Sequence, residues 1–202
     1  DFGSECRIGR HGRPLGVLKL QVPGVHAILN ALAAVAVALE LDIPFEKAAG
    51  ALESFQNADR RFQVRGKKGD VLVVDDYAHH PTEIVATLRA ARQACDRRIV
   101  AVFQPHRYSR TRALAEDFAR SFYHADVLVV LPVYAAGEDP IAGVDAESLV
   151  EGIKKFGHRE VVYAPDAGSA RKLLGQRLRD GDILLTLGAG DVWKLGEDFL
   201  KT

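Results

Sequence analysis

Within seven residues, Asp75-Asp76-Tyr77-Ala78-His79-His80-Pro81, the chain gathers two carboxylates, a phenol and two imidazoles. Carboxylates and imidazoles accept protons or hold cations, and a phenol adds a hydrogen-bonding edge to an apolar ring. A second concentration, Gln104-Pro105-His106-Arg107-Tyr108-Ser109-Arg110-Thr111, sets three basic side chains, His106, Arg107 and Arg110, within five residues. Arginine offers a fixed fork of donors to carboxylate or phosphate, so this segment suits an anion.

Both clusters follow short apolar runs. Val71-Leu72-Val73-Val74 precedes the first and Ile99 to Phe103 the second, and each cluster leads into a helical pattern. Pro81 suits the first turn of such a helix, where its missing N–H costs nothing. Strand-to-helix corners are where open α/β sheets hold ligands, because helix amides and strand-end side chains converge there. The alternation continues with strands over 127–131, 160–163 and 183–187 and helices over 82–94, 111–122, 146–156, 168–178 and 192–200. That pattern predicts an α/β fold, with a mostly parallel sheet covered on both faces. The carboxyl ends of parallel strands share one edge, so both clusters open on the same side, and if their strands are neighbours they form one cleft.

The first 60 residues read differently. Turn signals at Gly9-Arg10-His11-Gly12 and Arg13-Pro14, between Cys6–Ile8 and 17–22, fit a β-hairpin or a pair of sheet-edge strands. Val25 to Leu41 is alanine- and leucine-rich and apolar nearly all round, which predicts a buried helix. Pro44 opens a second helix through Phe55, Asn57-Ala58-Asp59 reads as a loop, and a domain boundary is expected at residues 57 to 63.

Composition narrows the function classes. With 27 basic and 27 acidic residues among 202, nothing favours bulk binding to nucleic acid or to a membrane surface. The longest apolar run, about 17 residues, is too short for a membrane span. Cys6 and Cys95 lack CxxC spacing, which points to a reducing cytoplasm. The start at Asp1 and the absence of methionine suggest that an upstream part is missing. Bland alternatives remain for each cluster: Asp75 and Asp76 as helix caps, His106, Arg107 and Arg110 as a solvated face. Asp76, His79 and His80 could hold a metal, but no further histidine sits at HxxxH or HExxH spacing, and no metal is expected on them. Leu187-Gly188-Ala189-Gly190-Asp191 lacks the third glycine of a dinucleotide fingerprint and reads as a tight turn with close packing. No GxxxxGK[ST] phosphate loop occurs.

Val74 to Ile84, with Phe103 to Thr111, closely resembles the Mur ligases of peptidoglycan synthesis, and the likeness extends to Pro23-Gly24-Val25-His26 with Asn30, to Arg60-Arg61-Phe62 and to Leu187–Asp191. Within that family the second motif is most similar to the branch attaching L-alanine to UDP-N-acetylmuramate. The resemblance implies a Rossmann-like C-terminal domain over 61–202, preceded over 1–60 by the tail of a central ATPase domain. It implies ATP and Mg2+, with most metal ligands upstream, and an acyl phosphate attacked by the amino-acid amine. His26 and Asn30 are then expected near adenine, Arg61 at the ATP phosphates and Asp76 at the ribose. Tyr77 and His79 border the amino-acid pocket, and Arg110, helped by His106 and Arg107, holds the carboxylate. His79 and Arg61 are the catalytic candidates. Ala27 departs from the family, which usually has asparagine there. The partners implied are UDP-N-acetylmuramate, L-alanine and the rest of the ligase chain, without which the 202 residues are expected to be inactive. A ligase recycling a tripeptide onto the same sugar, or a non-catalytic nucleotide-binding module, are the competing readings.

Overall fold

The computed structural model describes residues 2–56 and 58–201. They divide into two compact units, one made of the residues before Arg60 with Arg89–Cys95, the other of Arg60–Leu88 with the residues from Asp96 onward.

In the first unit, β1 (Ser4–Arg10) pairs antiparallel with β2 (Arg13–Leu20), Ser4 opposite Leu20. The connection is His11-Gly12, both with positive φ (50° and 77°), the conformation that two-residue hairpins require and that suits their twist. Helices α1 (Val25–Glu40) and α2 (Phe45–Glu53) follow. Ile8, Leu18, Leu20, Ala31, Val35 and Phe45 form the core. Gly16 is necessary here, since a Cβ on it would lie 2.6 Å from the Phe45 ring. One expectation fails: α1 is not buried all round. Only Ala31 and Val35 are buried, while Val25, Leu29, Val37 and Leu41 are 58–67% exposed. Ala27, Ile28, Leu32 and Leu39 also pack against the core, so the helix buries one stripe and leaves Val25, Leu29 and Val37 exposed on the other. Asn57, part of the loop expected at 57–59, lies outside the described residues.

The second unit holds strands β3 (Gln63–Lys68), β4 (Val71–Asp76), β5 (Ile99–Phe103), β6 (Val127–Val130), β7 (Val161–Tyr163) and β8 (Ile183–Leu187). They form one six-stranded sheet in the order β3-β4-β8-β5-β6-β7, parallel throughout except for β3. The sheet is mixed α/β as expected. Its edge strand β3 was not, because Gln63-Val64-Arg65-Gly66-Lys67-Lys68 carries too few apolar residues to signal a strand. Charge and lysine are what an exposed edge tolerates. Helices α3 (Pro81–Ala94), α4 (Tyr108–Ala113), α5 (Ala115–Ala119), α6 (Ala146–Lys155), α7 (Ala167–Arg177) and α8 (Trp193–Lys201) complete the fold. The helix expected over 111–122 starts earlier and breaks at Leu114, whose φ and ψ (−118°, 21°) leave the helical region. Asp145 and Asp166 cap α6 and α7, each accepting from the amide three residues on at 2.7 Å. Every residue of β5, β6 and β8 is buried. No helix among the described residues is long and apolar enough to cross a membrane.

Candidate functional site

Strand β4 runs two residues further than its apolar stretch, so Asp75 and Asp76 are strand residues, 1% and 4% exposed. Successive strand residues face opposite ways, and the two carboxylates find separate partners. Asp75 accepts from Thr186 Oγ1 at 2.6 Å and from Arg60 Nε at 2.8 Å. Asp76 accepts from the amides of Ala78 (2.8 Å) and Phe62 (3.0 Å) and from Thr87 Oγ1 (3.1 Å). Burial disfavours its charged form more than these bonds favour it, and its pKa is pushed up to about 6. Neither aspartate caps α3. That falls to Glu83, which accepts from the amides of His79 (3.0 Å) and His80 (3.1 Å). Burial pushes the Glu83 carboxyl up, but these amides and the nearby His79 and Arg61 charges outweigh it and hold it below the usual range.

Arg60 is the residue the sequence reading overlooked. Its Nη2 and Nη1 donate to the carbonyls of Gly188 (2.7 Å) and Gly190 (3.2 Å) while Nε holds Asp75. Its own carbonyl accepts from Tyr77 N–H at 2.7 Å, and its guanidinium lies 5.1 Å from the Tyr77 ring centre. Arg61 is exposed, 5.7 Å from the same ring and 3.4 Å from Glu83 Oε1.

Strands β4 and β5 are not neighbours, since β8 lies between them. The two loops nevertheless meet: the His79 and His106 rings are 5.7 Å apart, edge to face. The glycines after β8 make room. A Cβ on Gly188 would lie 2.9 Å from the Gln104 carbonyl, and one on Gly190 would lie 2.3 Å from Gln104 Oε1 and 2.8 Å from the Tyr134 ring. His106 stacks on Tyr134 at 5.6 Å and 10°. Arg110 Nη1 donates to His106 Nδ1 and to its carbonyl, both at 3.2 Å. Arginine only donates, so His106 Nδ1 is the acceptor and the ring is neutral. Burial first, then the neighbouring His79, Arg110 and Arg107, lowers its pKa. The Tyr77 carbonyl can only accept, so His79 Nδ1 carries the hydrogen at 2.9 Å, and in the neutral ring Nε2 is then the acceptor, opposite to His106. Arg107 is exposed at the start of α4 with φ 71°, its amide bonded to the Tyr134 carbonyl. Glu138 fixes the next turn by accepting from Ser109 N and Oγ.

Tyr77, His79, His106 and Arg110 thus stand together, with Arg107 beside them. Arg61 and Asp76 lie on the β3–β4 side of Tyr77. Tyr134 and Gln104 were missed, although both follow apolar strands and the same strand-end reasoning would have found them. A cavity of about 410 Å³ borders Gln104, Tyr134 and Asp191. In the first unit, His26 and Asn30 occupy the opening turns of α1 and, four apart, share one face. Ala27 packs against the hairpin core. Among the described residues no group of three or more His, Cys, Asp or Glu is placed to hold a metal ion.

Residues 60–190 match the family model described as Mur ligase, glutamate ligase domain. A protein of Desulfatibacillum aliphaticivorans is 53% identical over 96% of this chain and 43% of its own length. One of Desulfosudis oleivorans is 58% identical over 93% of this chain and 41% of its own. Both are named UDP-N-acetylmuramate--L-alanine ligase. The solved structure of UDP-N-acetylmuramate-alanine ligase from Thermotoga maritima superposes with a TM-score of 0.82 at 29% identity, covering 98% of this chain and 42% of that one. The chain therefore spans about two fifths of the length of the curated relatives it matches.

Proposed function

The chain belongs to the Mur ligase family, and we propose that it supplies the amino-acid-binding part of an ATP-dependent ligase joining L-alanine to UDP-N-acetylmuramate. The junction of His79, His106 and Arg110 is the observation that carries this reading. It sets a cationic fork and two imidazoles of opposite tautomer at one sheet edge. Arg110 takes the amino-acid carboxylate, with Arg107 adding charge. Neutral His106 orients the Arg110 fork without adding a charge that would repel the substrate ammonium. An amine attacks only when unprotonated, and His79 Nε2 is the acceptor for the proton it must lose. The exposed Tyr77 ring walls the pocket.

ATP, when bound, supplies the phosphoryl group that turns the muramic carboxylate into an acyl phosphate. Of this chain's residues, Arg61 faces the phosphates. The bonds that Asp76 already accepts leave one acceptor direction on Oδ1, which suits a ribose hydroxyl. His26 and Asn30 take the adenine. Lacking a GxxxxGK[ST] loop, the 202 residues alone are expected to turn over no ATP. On this reading, the use of ATP and a UDP-linked sugar implies a reaction in the cytoplasm.

Phosphate release by the full-length protein, given ATP, Mg2+, UDP-N-acetylmuramate and a panel of amino acids and peptides, tests the assignment. Release should require L-alanine, and Arg110→Ala should raise the KM for L-alanine by about 100-fold, the loss of a charge-assisted pair. Release with a tripeptide alone would move the assignment to a recycling ligase. No release with any acceptor would leave a binding module.

A further inference from the structure

The residues flanking Arg61 are both held in the left-handed region, Arg60 at φ 57° and Phe62 at φ 44°. Neither is glycine, and such conformations persist only where the surroundings impose them. Here the paired aspartates do so. Asp75 grips the Arg60 side chain and Asp76 grips the Phe62 amide, one on each side of Arg61. Phe62 is further fixed by burial of its ring, and Arg60 by the two glycine carbonyls after β8.

We propose that Asp75, Asp76 and Arg60 form a clamp that positions Arg61 for a nucleotide phosphate, Arg60 itself touching no ligand. The inference rests on the ligase reading and deepens it. Adjacent strand residues face opposite ways, which lets this consecutive pair of carboxylates reach both ends of the Arg60–Phe62 turn. Each nitrogen of the Arg60 fork already donates to a protein acceptor: Nε to Asp75, Nη2 to Gly188 and Nη1 to Gly190. A lysine keeps the charge but cannot span three acceptors from one nitrogen in this geometry. The Arg61 side chain is 43% exposed and lies beside Tyr77 and Glu83. The two adjacent arginines therefore have different tasks, Arg60 as a positioning residue and Arg61 as the phosphate contact.

A double-mutant cycle in the full-length protein separates positioning from general structural support, since residues acting through one another are non-additive. Arg60→Lys, Arg61→Ala and the double variant are compared by kcat and by KM for L-alanine, with thermal midpoints as a control on folding. Arg60→Lys should lower kcat by about tenfold or more with little change in KM, and should lower it no further once Arg61 is alanine. An equal loss in both backgrounds overturns the proposal, as does an unchanged kcat in Arg60→Lys or in Arg61→Ala. If Arg60→Lys fails to fold, Asp75→Asn replaces it in the same cycle. If the wild type releases no phosphate with L-alanine, the ligase reading fails while the clamp is still decided by the same cycle read as the ratio of ATP to ADP affinity. That ratio should fall in each single variant and no further in the double.

Discussion

The two units use similarly apolar sequence to different ends. In the second, strands β5, β6 and β8 are buried at every position, and helix residues such as Ile84, Leu88 and Ile153 are shut away completely. In the first, α1 is the most uniformly apolar of the described helices, yet Val25, Leu29 and Val37 and the C-cap Leu41 stay open to solvent. A sheet covered on both faces gives apolar residues on every side a place to go. A two-stranded hairpin backed by helices uses only one stripe of each helix. An apolar pattern therefore reports that a residue is destined for burial somewhere, not that this stretch of chain provides the partner. The matched relatives are more than twice as long as the chain.

Truncating a side chain in each unit should sharpen this contrast most. Phe103→Ala removes a ring packed at 5.5 Å and 5.1 Å from those of Phe118 and Phe122, and should cost about 3–5 kcal/mol because the buried strand cannot close the cavity. If the urea midpoint of this variant matched the wild type, the complete core assigned to the second unit would be refuted.

Next in size comes the pair at the start of the second unit. Removing Arg60 strands the buried Asp75 carboxylate, with Thr186 Oγ1 as its remaining partner. Arg60→Ala should therefore destabilise by about 3 kcal/mol, as for other broken buried pairs. The exposed Arg61 to Glu83 contact at 3.4 Å is worth at most about 1 kcal/mol. Denaturation curves for Arg60→Ala and Arg61→Ala should differ accordingly, and equal losses would mean that the two arginines are not divided in role.

Asp76 gives a smaller effect with a definite sign. Its folded pKa, about 6, stands above the ordinary 3.8, so between about pH 4 and 6 the native state binds more protons than the unfolded chain. This contribution to stability is fully present below pH 4 and is lost as pH rises through 6. Burial lowers the pKa of His106 and His158, which acts in the opposite direction as pH falls below 6.5. The difference between wild type and Asp76→Asn isolates the carboxylate: the wild type should lose stability relative to the variant on going from pH 4 to 7. A pH-independent difference would show that Asp76 ionises in the fold as readily as in the unfolded chain.

What the sequence made legible follows the range over which each signal acts. Apolar runs and helical periods are local, and they located the parallel strands and the two loops that carry His79, His106 and Arg110. Strand order is not local. Nothing in β4 or β5 records that β8, over 80 residues beyond β5, inserts between them. Arg60 was illegible for the same reason, since its acceptors Gly188 and Gly190 lie 128 and 130 residues away. Asp75 and Asp76 looked like loop residues because a buried strand rarely holds two carboxylates, and the donors from Thr186, Arg60, Phe62, Ala78 and Thr87 make their places tolerable. The break at Leu114 carries no glycine or proline and had no signal to read.

The smallest change tests the first unit. Leu29 is 59% exposed on α1, whereas Val35, on the stripe facing the hairpin, is 2% exposed. Leu29→Ser removes little packing, so in the 202-residue chain it should shift stability by less than about 0.5 kcal/mol, as ordinary surface substitutions do. It should also reduce self-association, because an exposed apolar residue is part of what sticks. In the full-length protein the same substitution should cost more if α1 meets another surface there. Comparing the Leu29→Ser midpoint shift in the two lengths of chain reads this directly. Equal small shifts in both would mean that the open face of α1 stays open in the longer protein, and that its apolar pattern needs a different explanation.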